Sequence, residues 1–332
     1  MPATIGLDVG STSIKLVTVD GKKVGTAVTA NPLGKVAVNG EVETIKLAEV
    51  IKKLFGDNKV GIKKARVVLS ESLVFSRVIP MPVLSEAELA SAIRYEAEQY
   101  IPVPLEEVEL SYEVLYRPST RQTTEKMAVL LVASPHKELE ALVEVFSTIG
   151  LEPESMEPEL VAAARAVILN KASTEPVVLC TLGAEASGMG VFDGGRLVFV
   201  YRFNSGGTAM ARAISVGLAM PITQAEEFKR SYGVRSEILE GKLLAAMNPV
   251  IEGLVGELKK AQNFFQQSSN GVKIARLVMV GGVALTPGLV ELLSSRLGIE
   301  VILGDPFTGL TVGPEVAKLG VVYASAVGAA IR

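Results

Sequence analysis

Residues 5–21 read IGLDVGSTSIKLVTVDG. Apolar residues lie on both sides of a Gly-Ser-Thr-Ser corner, so 4–9 and 14–19 are predicted strands, and Asp20-Gly21 is a hairpin signal. "KVGTAVT" continues as a third strand. The first strand ends in an acid, Asp8, and the return strand carries Lys15. Backbone N–H groups of such a small-residue corner point into one concavity and bind anionic oxygens. Gly10 permits close approach, while Ser11, Thr12 and Ser13 add hydroxyl donors. Lys15 offers a point charge for a terminal phosphate. Asp8 suits a hydrated Mg²⁺, which keeps much of its water shell. A plain polar hairpin shares the local pattern, so a second signal has to decide.

That signal is a repeat. CTLGAEASGMGVFDG, residues 180–194, has the same design: Thr181 precedes Asp193-Gly194 by 12 positions, as Asp8 precedes Asp20-Gly21, and Gly183 matches Gly10. A strand–loop–strand unit duplicated in each half predicts two similar lobes with a cleft between them. Two such loops facing across the cleft would clamp a polyphosphate.

The remaining segments fill this frame. "ETIKLAEVIKKLFG" has helical apolar spacing with Gly56 as its stop, and "ARVVLS" and "LVFSRVIPM" follow as strands. Ser85 and Glu88 form a capping box for a helix that should stop near Ile101, before "PVP". "VELSYEVLY" and "KMAVLLVAS" read as strands around the polar loop "RPSTRQTTE", and "HKELEALVEVFSTIG" as a helix. This block, 77–153, reads as a small α/β insertion into a first lobe of 1–76. A second lobe spans 154–309, and a helix in 310–332 returns to the first. Pro158 is placed at a helix start. Ser205 or Thr208 is expected to cap the next helix, Thr223 and Glu226 to form a second capping box, and Pro249 to divide the helical stretch 236–267. "IARLVMVGG" is a buried strand running into a Gly pair, and Thr286-Pro287 starts a helix that ends at Gly298.

Composition narrows the function. The 332 residues carry a net charge of −3, which gives no general case for nucleic acid or an anionic membrane surface. The absence of Trp argues against stacking platforms for single strands. One Cys and one His exclude a disulfide framework and a Cys/His zinc site. Cys180 reads as a buried strand residue and His136 as a solvated first-turn residue. No secretory signal precedes the first strand, and the longest apolar runs fall short of the ~20 residues of a membrane helix. A cytoplasmic protein is expected, reaching a membrane only through a partner.

Over nearly its whole length the chain resembles the actin/sugar-kinase/heat-shock ATPase superfamily. GLDVGSTSIK resembles its first phosphate loop, CTLGAEASGMGVF its second, and VMVGGVALTPGLVELLSSRLGIEV its adenosine motif. The resemblance implies that Gly281, Gly282, Val283 and Thr286 lie against the base and ribose. It implies that Glu226 and Lys229 of "AEEFKR" meet the nucleoside, and that "SGG" at 205–207 brings Gly206 and Gly207 near the phosphates alongside Gly183. "MEPELVAAARA" resembles the helix start that carries a water-positioning acid, which would be Glu157. LGVVYASAVGAAIR is similar to the late connecting helix.

Within the superfamily the chain resembles the FtsA-like branch, and in it the PilM family of type IV pilus assembly proteins. The first loop, the early block SEAELASAIRYEAEQYIPVPLEEVELSYEVL and the short length carry this likeness. It implies a cytoplasmic adaptor that binds ATP and Mg²⁺ and docks the N-terminal tail of an inner-membrane PilN-type protein. Tyr95, Tyr100, Ile101 and Val103 are expected to wall a peptide groove on the insertion; a role as core and linker is the plain alternative. One departure stands out: many relatives carry Asp where this chain has Thr181. A Thr hydroxyl cannot supply the charge that holds a hydrated cation, so at most slow ATP hydrolysis is expected. Glu185 is a possible substitute or a surface acid. An actin-like filament protein and a small-molecule kinase are the alternative readings, although no Asp on a Gly-rich loop suits a kinase base.

Overall fold

The computed structural model describes residues 3–61, 63–119, 125–169 and 175–332; the centre of the loop 117–125 lies outside them. The first sheet contains β1 (Thr4–Val9), β2 (Ser13–Asp20) and β3 (Lys23–Ala30). The chain then forms α1 (Gly40–Asp57) and β4 (Lys64–Leu69). It leaves for β5 (Phe75–Met81), α2 (Glu86–Ala97), β6 (Val108–Tyr116) and β7 (Met127–Pro135). It comes back through α3 (His136–Thr148), β8 (Glu152–Pro158) and α4 (Glu159–Ala164).

The second half runs β9 (Val177–Leu182), β10 (Ser187–Asp193), β11 (Arg196–Phe203), α5 (Gly207–Gly217), α6 (Ile222–Tyr232) and α7 (Lys242–Ser268). It closes with β12 (Arg276–Val280), α8 (Leu289–Leu297), β13 (Glu300–Leu303), α9 (Pro314–Lys318) and α10 (Gly320–Ala330).

The two large sheets have one topology. Their orders are β3-β2-β1-β4-β8 and β11-β10-β9-β12-β13, each an antiparallel meander of three strands continued by two parallel ones. The duplication expected from the paired hairpins is therefore present strand for strand. Between the lobes lies α10, whose GVVYASAVGAA is small and apolar enough to be buried on nearly all sides. A Cβ on Gly328 would sit 1.7 Å from the Ala162 carbonyl oxygen, so only glycine lets α10 approach α4 this closely. The helix also packs on β1, β2 and β4.

The block expected as an insertion at 77–153 divides in two. The three-stranded sheet β5-β7-β6 with α2 has its own core of Ile79, Met81, Leu89, Ile93, Val108, Met127, Val129 and Leu131. In α3, by contrast, Leu142, Val145 and Phe146 join the core of the first lobe beside α1, and β8 completes the first sheet rather than opening the second lobe.

Several local expectations change. The Ser85–Glu88 capping box forms in both directions. Neither Ser205 nor Thr208 caps α5; Gly206 takes that place without a side-chain bond. Thr223 does not cap α6, because the helix begins after Pro221 and the Glu226 carboxylate turns to Lys229 and Arg230 instead. Pro249 does not divide the helical stretch: α7 passes through it. The proline ring faces solvent while Leu243, Met247, Ile251, Leu254, Val255 and Leu258 form an unbroken buried stripe. Tertiary packing of that stripe offsets the lost backbone bond.

Candidate functional site

In the first hairpin, Asp8 and Lys15 are directly paired across β1 and β2, so both side chains leave the same face. Lys15 Nζ donates to Asp8 Oδ2 at 3.0 Å, with both groups largely buried. Burial pulls the lysine down, but Asp8, and Glu159 beyond it, more than offset this and hold Lys15 above its ordinary value. Gly10 faces the same pair: a Cβ there would lie 3.3 Å from Lys15 Nζ. The corner is closed by Gly10 N–H donating to Ser13 O at 3.0 Å.

Asn31, which the sequence did not single out, braces the corner. Its Nδ2 donates to the carbonyls of Gly10 and Lys35, each at 2.9 Å, and its backbone N–H donates to Thr12 O. Ser11 is buried, Ser13 half-buried and Thr12 exposed.

The second hairpin is built differently. Thr181 is fully buried, and its Oγ1 accepts the Gly188 N–H at 3.2 Å. The hydroxyl is thus occupied inside the hairpin. Glu185 is an exposed loop acid. The loop is stitched to the start of α5: Gly207 and Thr208 N–H groups donate to the carbonyls of Gly183 and Ala184 at 3.0 and 2.9 Å. Gly206 fits tightly there, since a Cβ would meet the Gly183 oxygen at 2.4 Å.

Behind α5, Lys229 Nζ donates to Gly207 O at 2.9 Å and to Glu226 Oε2 at 2.7 Å. Burial lowers the lysine against the pull of Glu226. Val283 reaches the same spot, for a Cβ on Gly207 would touch both Lys229 Nζ and Val283 Cγ2 at 2.9 Å. Gly281, at φ +92, turns the chain beneath the end of β9 and donates to Val321 O. Gly282 faces open space, and Thr286 is buried behind it. The structure therefore gathers Gly183, Gly206, Gly207, Glu226, Lys229, Gly281, Gly282, Val283 and Thr286 on the second lobe.

Glu157 does not stand free to orient a water. Arg165 engages both its oxygens, at 2.8 and 2.7 Å, and also donates to Gly328 O, which ties β8 to α4 and α10. The acid that interacts with Asp8 and Lys15 is Glu159, two residues on. Burial raises its carboxyl, followed by the charges of Asp8 and Glu71. Glu71 is itself buried, its Oε1 accepting the Leu160 N–H at 2.9 Å. Burial pushes Glu71 up to about 7 against the pull of that N–H and of Arg202. Cys180, beneath these acids, is buried and its thiol is pushed up by that burial.

On the insertion, Tyr95 is 71% exposed and Val103 42% exposed, Tyr100 lies under the Arg77 guanidinium, and Ile101 is buried in the subdomain core. A groove of about 440 Å³ lies beside them, lined by Ile93, Arg94, Leu105, Val108, Leu110 and His136. Its wall β6 is an edge strand. α2 presents Ile93 and Arg94, rather than Tyr95, to this groove.

Two lobes of identical topology, loops at matching strand ends and an insertion in the first lobe define an actin-like fold. The family model described as type IV pilus assembly protein PilM matches residues 6–332, and the chain belongs to that family. A solved structure described as a PilM–PilN type IV pilus biogenesis complex is 26% identical, covers 99% of this chain and 98% of its own, and superposes with a TM-score of 0.86. The ethanolamine utilization protein EutJ from Carboxydothermus hydrogenoformans is 18% identical, covers 100% of this chain and 90% of its own, and shares the fold with a TM-score of 0.63. Among the described residues no helix is long and apolar enough to cross a membrane.

Proposed function

We propose that the chain is an ATP-binding adaptor of a type IV pilus assembly machine, held at the inner membrane by the N-terminal tail of a PilN-type partner. The observation that carries this is the match over nearly the full length of both chains to a PilM–PilN complex.

The inter-lobe site fits Mg²⁺-ATP. Lys15 and the Gly10–Ser13 corner face the phosphates, and Asp8 holds hydrated Mg²⁺. The Asp8 carboxylate beside the Gly10–Ser13 corner supplies an oxygen donor of the kind suited to a cation that keeps much of its water. Gly183, Gly206 and Gly207 line the phosphate side of the second lobe. Glu226, Lys229, Gly281, Gly282, Val283 and Thr286 form the nucleoside side, where the open face of Gly282 leaves room for the base. Bound Mg²⁺ supplies charge neutralisation for the phosphates.

Glu159, in place of Glu157, is the acid facing the phosphate loop. Thr181 contributes no charge, and catalysis of phosphoryl transfer to water depends on positioned water and charge. Steady hydrolysis by the purified protein is therefore expected below roughly one turnover per minute, measured as phosphate release. Faster release would restore an enzymatic reading.

The tail occupies the groove between α2 and β6, adding main-chain contacts along the open edge of β6 and seating apolar side chains on Ile93, Leu105 and Leu110. Leu110 is only half-buried, so Leu110→Glu should leave the fold intact by circular dichroism. In fluorescence titration with a PilN-type tail peptide it should weaken binding at least about tenfold, the effect of one lost hot-spot contact. An unchanged affinity would remove the groove from the reading. No binding by the unaltered protein, with pelleting on ATP addition, would favour the filament alternative.

A further inference from the structure

Glu71 occupies a position that neither proposed ligand site uses. It opens the single turn 71–73 by which the chain leaves the first sheet for the insertion. The strand that comes back from the insertion is fastened to this same turn: the buried Ser134 Oγ donates to Leu73 O at 2.8 Å. Ser134 and Pro135 pair with Glu109 and Val108 of β6, and the next residue is His136. Val108, Glu109 and His136 line the groove. One side of the turn is thus continuous with the docking surface.

The other side leads to both phosphate hairpins. Glu71 accepts the Leu160 N–H, and its own backbone N–H is accepted by the Glu159 carboxyl, which faces Asp8 and Lys15. Toward the second lobe, Gly188 lies so close that a Cβ would be 2.8 Å from the Glu71 carboxyl carbon. Gly188 in turn bonds to Thr181 of the second hairpin. Arg202, directly paired with Gly188, supplies the opposite charge on that face. Leu160 and Glu159 on one side of Glu71, and Gly188 and Arg202 on the other, belong to the two lobes that a bound polyphosphate would draw together.

We infer that Glu71 is a positioning residue that couples nucleotide occupancy of the cleft to tail docking in the groove. The inference rests on the function proposed above. The interior around Glu71 is close-packed, so a change in lobe spacing moves it as a unit instead of being absorbed locally. The displacement passes through Leu73 and Ser134 to β6. Coupling of this kind is reciprocal, and commonly amounts to roughly 5–150-fold in affinity.

The test is a two-ligand cycle on the full chain. Tail-peptide affinity is measured by fluorescence with and without saturating Mg²⁺-ATP, and ATP affinity by calorimetry with and without peptide. The unaltered protein should show a change of about fivefold or more, equal in both directions. Glu71→Gln keeps an acceptor for Leu160 but loses the charge. Ser134→Ala cuts the root on the other side without touching Glu71. Each should leave the separate affinities within about twofold while the coupling factor falls toward one, as a broken linkage requires. If Glu71→Gln does not fold, Ser134→Ala decides. Both ligands binding the unaltered protein with a coupling factor of one, or full coupling surviving in the folded variants, overturns the inference and leaves the adaptor reading standing. Failure of either ligand to bind the unaltered protein overturns the adaptor reading, and the inference falls with it.

Discussion

The β1–β2 and β9–β10 hairpins have the same topology and the same strand spacing, yet their chemistry is unequal. The β1–β2 corner carries a largely buried ion pair, Asp8–Lys15, and is braced by Asn31. The β9–β10 corner has no charge at the matching place: Thr181 spends its hydroxyl on Gly188, and the loop's carbonyls are taken by the start of α5. The two hairpins therefore share a frame, while the first carries a buried ion pair and the second relies on backbone shape. On the proposed function, this asymmetry would hold a nucleotide without supplying the second charge that hydrolysis needs.

Removing the charge from the first hairpin should have the largest effect. Lys15→Ala strips a charge-assisted contact from the phosphates, worth roughly 1.5–3 kcal/mol, or about ten- to hundredfold in ATP affinity by calorimetry. It also leaves Asp8 buried without a partner, at a cost of about 3 kcal/mol in unfolding free energy. A variant with native ATP affinity would take Lys15 out of the site.

The acids between the hairpins come next. Glu71 is held at about 7, above its ordinary 4.5, so the folded protein keeps a proton that the unfolded chain releases between those values. Its contribution to stability is full below about 4.5, is lost as the pH rises through about 7, and changes no further above that. At roughly 1.4 kcal/mol per pH unit, ligand-free stability should fall by about 2–3 kcal/mol between pH 5 and 7.5 in urea titrations. Glu159, also raised, acts in the same sense. Glu71→Gln should remove the share of this slope that Glu71 carries and leave that of Glu159; an unchanged slope would place the proton elsewhere.

Shape should dominate in the second hairpin. Gly188→Ala drives a methyl group into the Glu71 carboxyl and should cost about 1–3 kcal/mol, read as a lowered melting temperature. Thr181→Val removes only the bond to Gly188 and should cost about 1 kcal/mol without altering phosphate release. A clear drop in release would show that Thr181 takes part in turnover after all.

Much of this frame is legible in the sequence. The repeat of a strand, a small-residue corner and an Asp-Gly turn at equal spacing is a local signal, and so is the Ser85–Glu88 box. The second-lobe glycines followed from resemblance to a motif. Glu71 and Glu159 were not legible, because they meet only after β4 and β8 align in parallel; Glu71 and Leu160 lie 89 positions apart in the chain. The resemblance pointed to Glu157, and only the side-chain environment shows Arg165 holding both its oxygens. Pro249 misled for a related reason: the breaker is local, but the buried stripe of α7 that overrides it is set by tertiary packing.

The central claim is that one chain carries two separable sites, one for nucleotide and one for a partner's tail. The most direct measurement is calorimetric titration of Mg²⁺-ATP and of a PilN-type tail peptide into the unaltered protein, Lys15→Ala and Leu110→Glu, each checked for fold. The account predicts that the unaltered protein binds one equivalent of each, that Lys15→Ala loses ATP affinity and keeps the peptide, and that Leu110→Glu does the reverse. Folded variants that lose both ligands together, or neither, would contradict it.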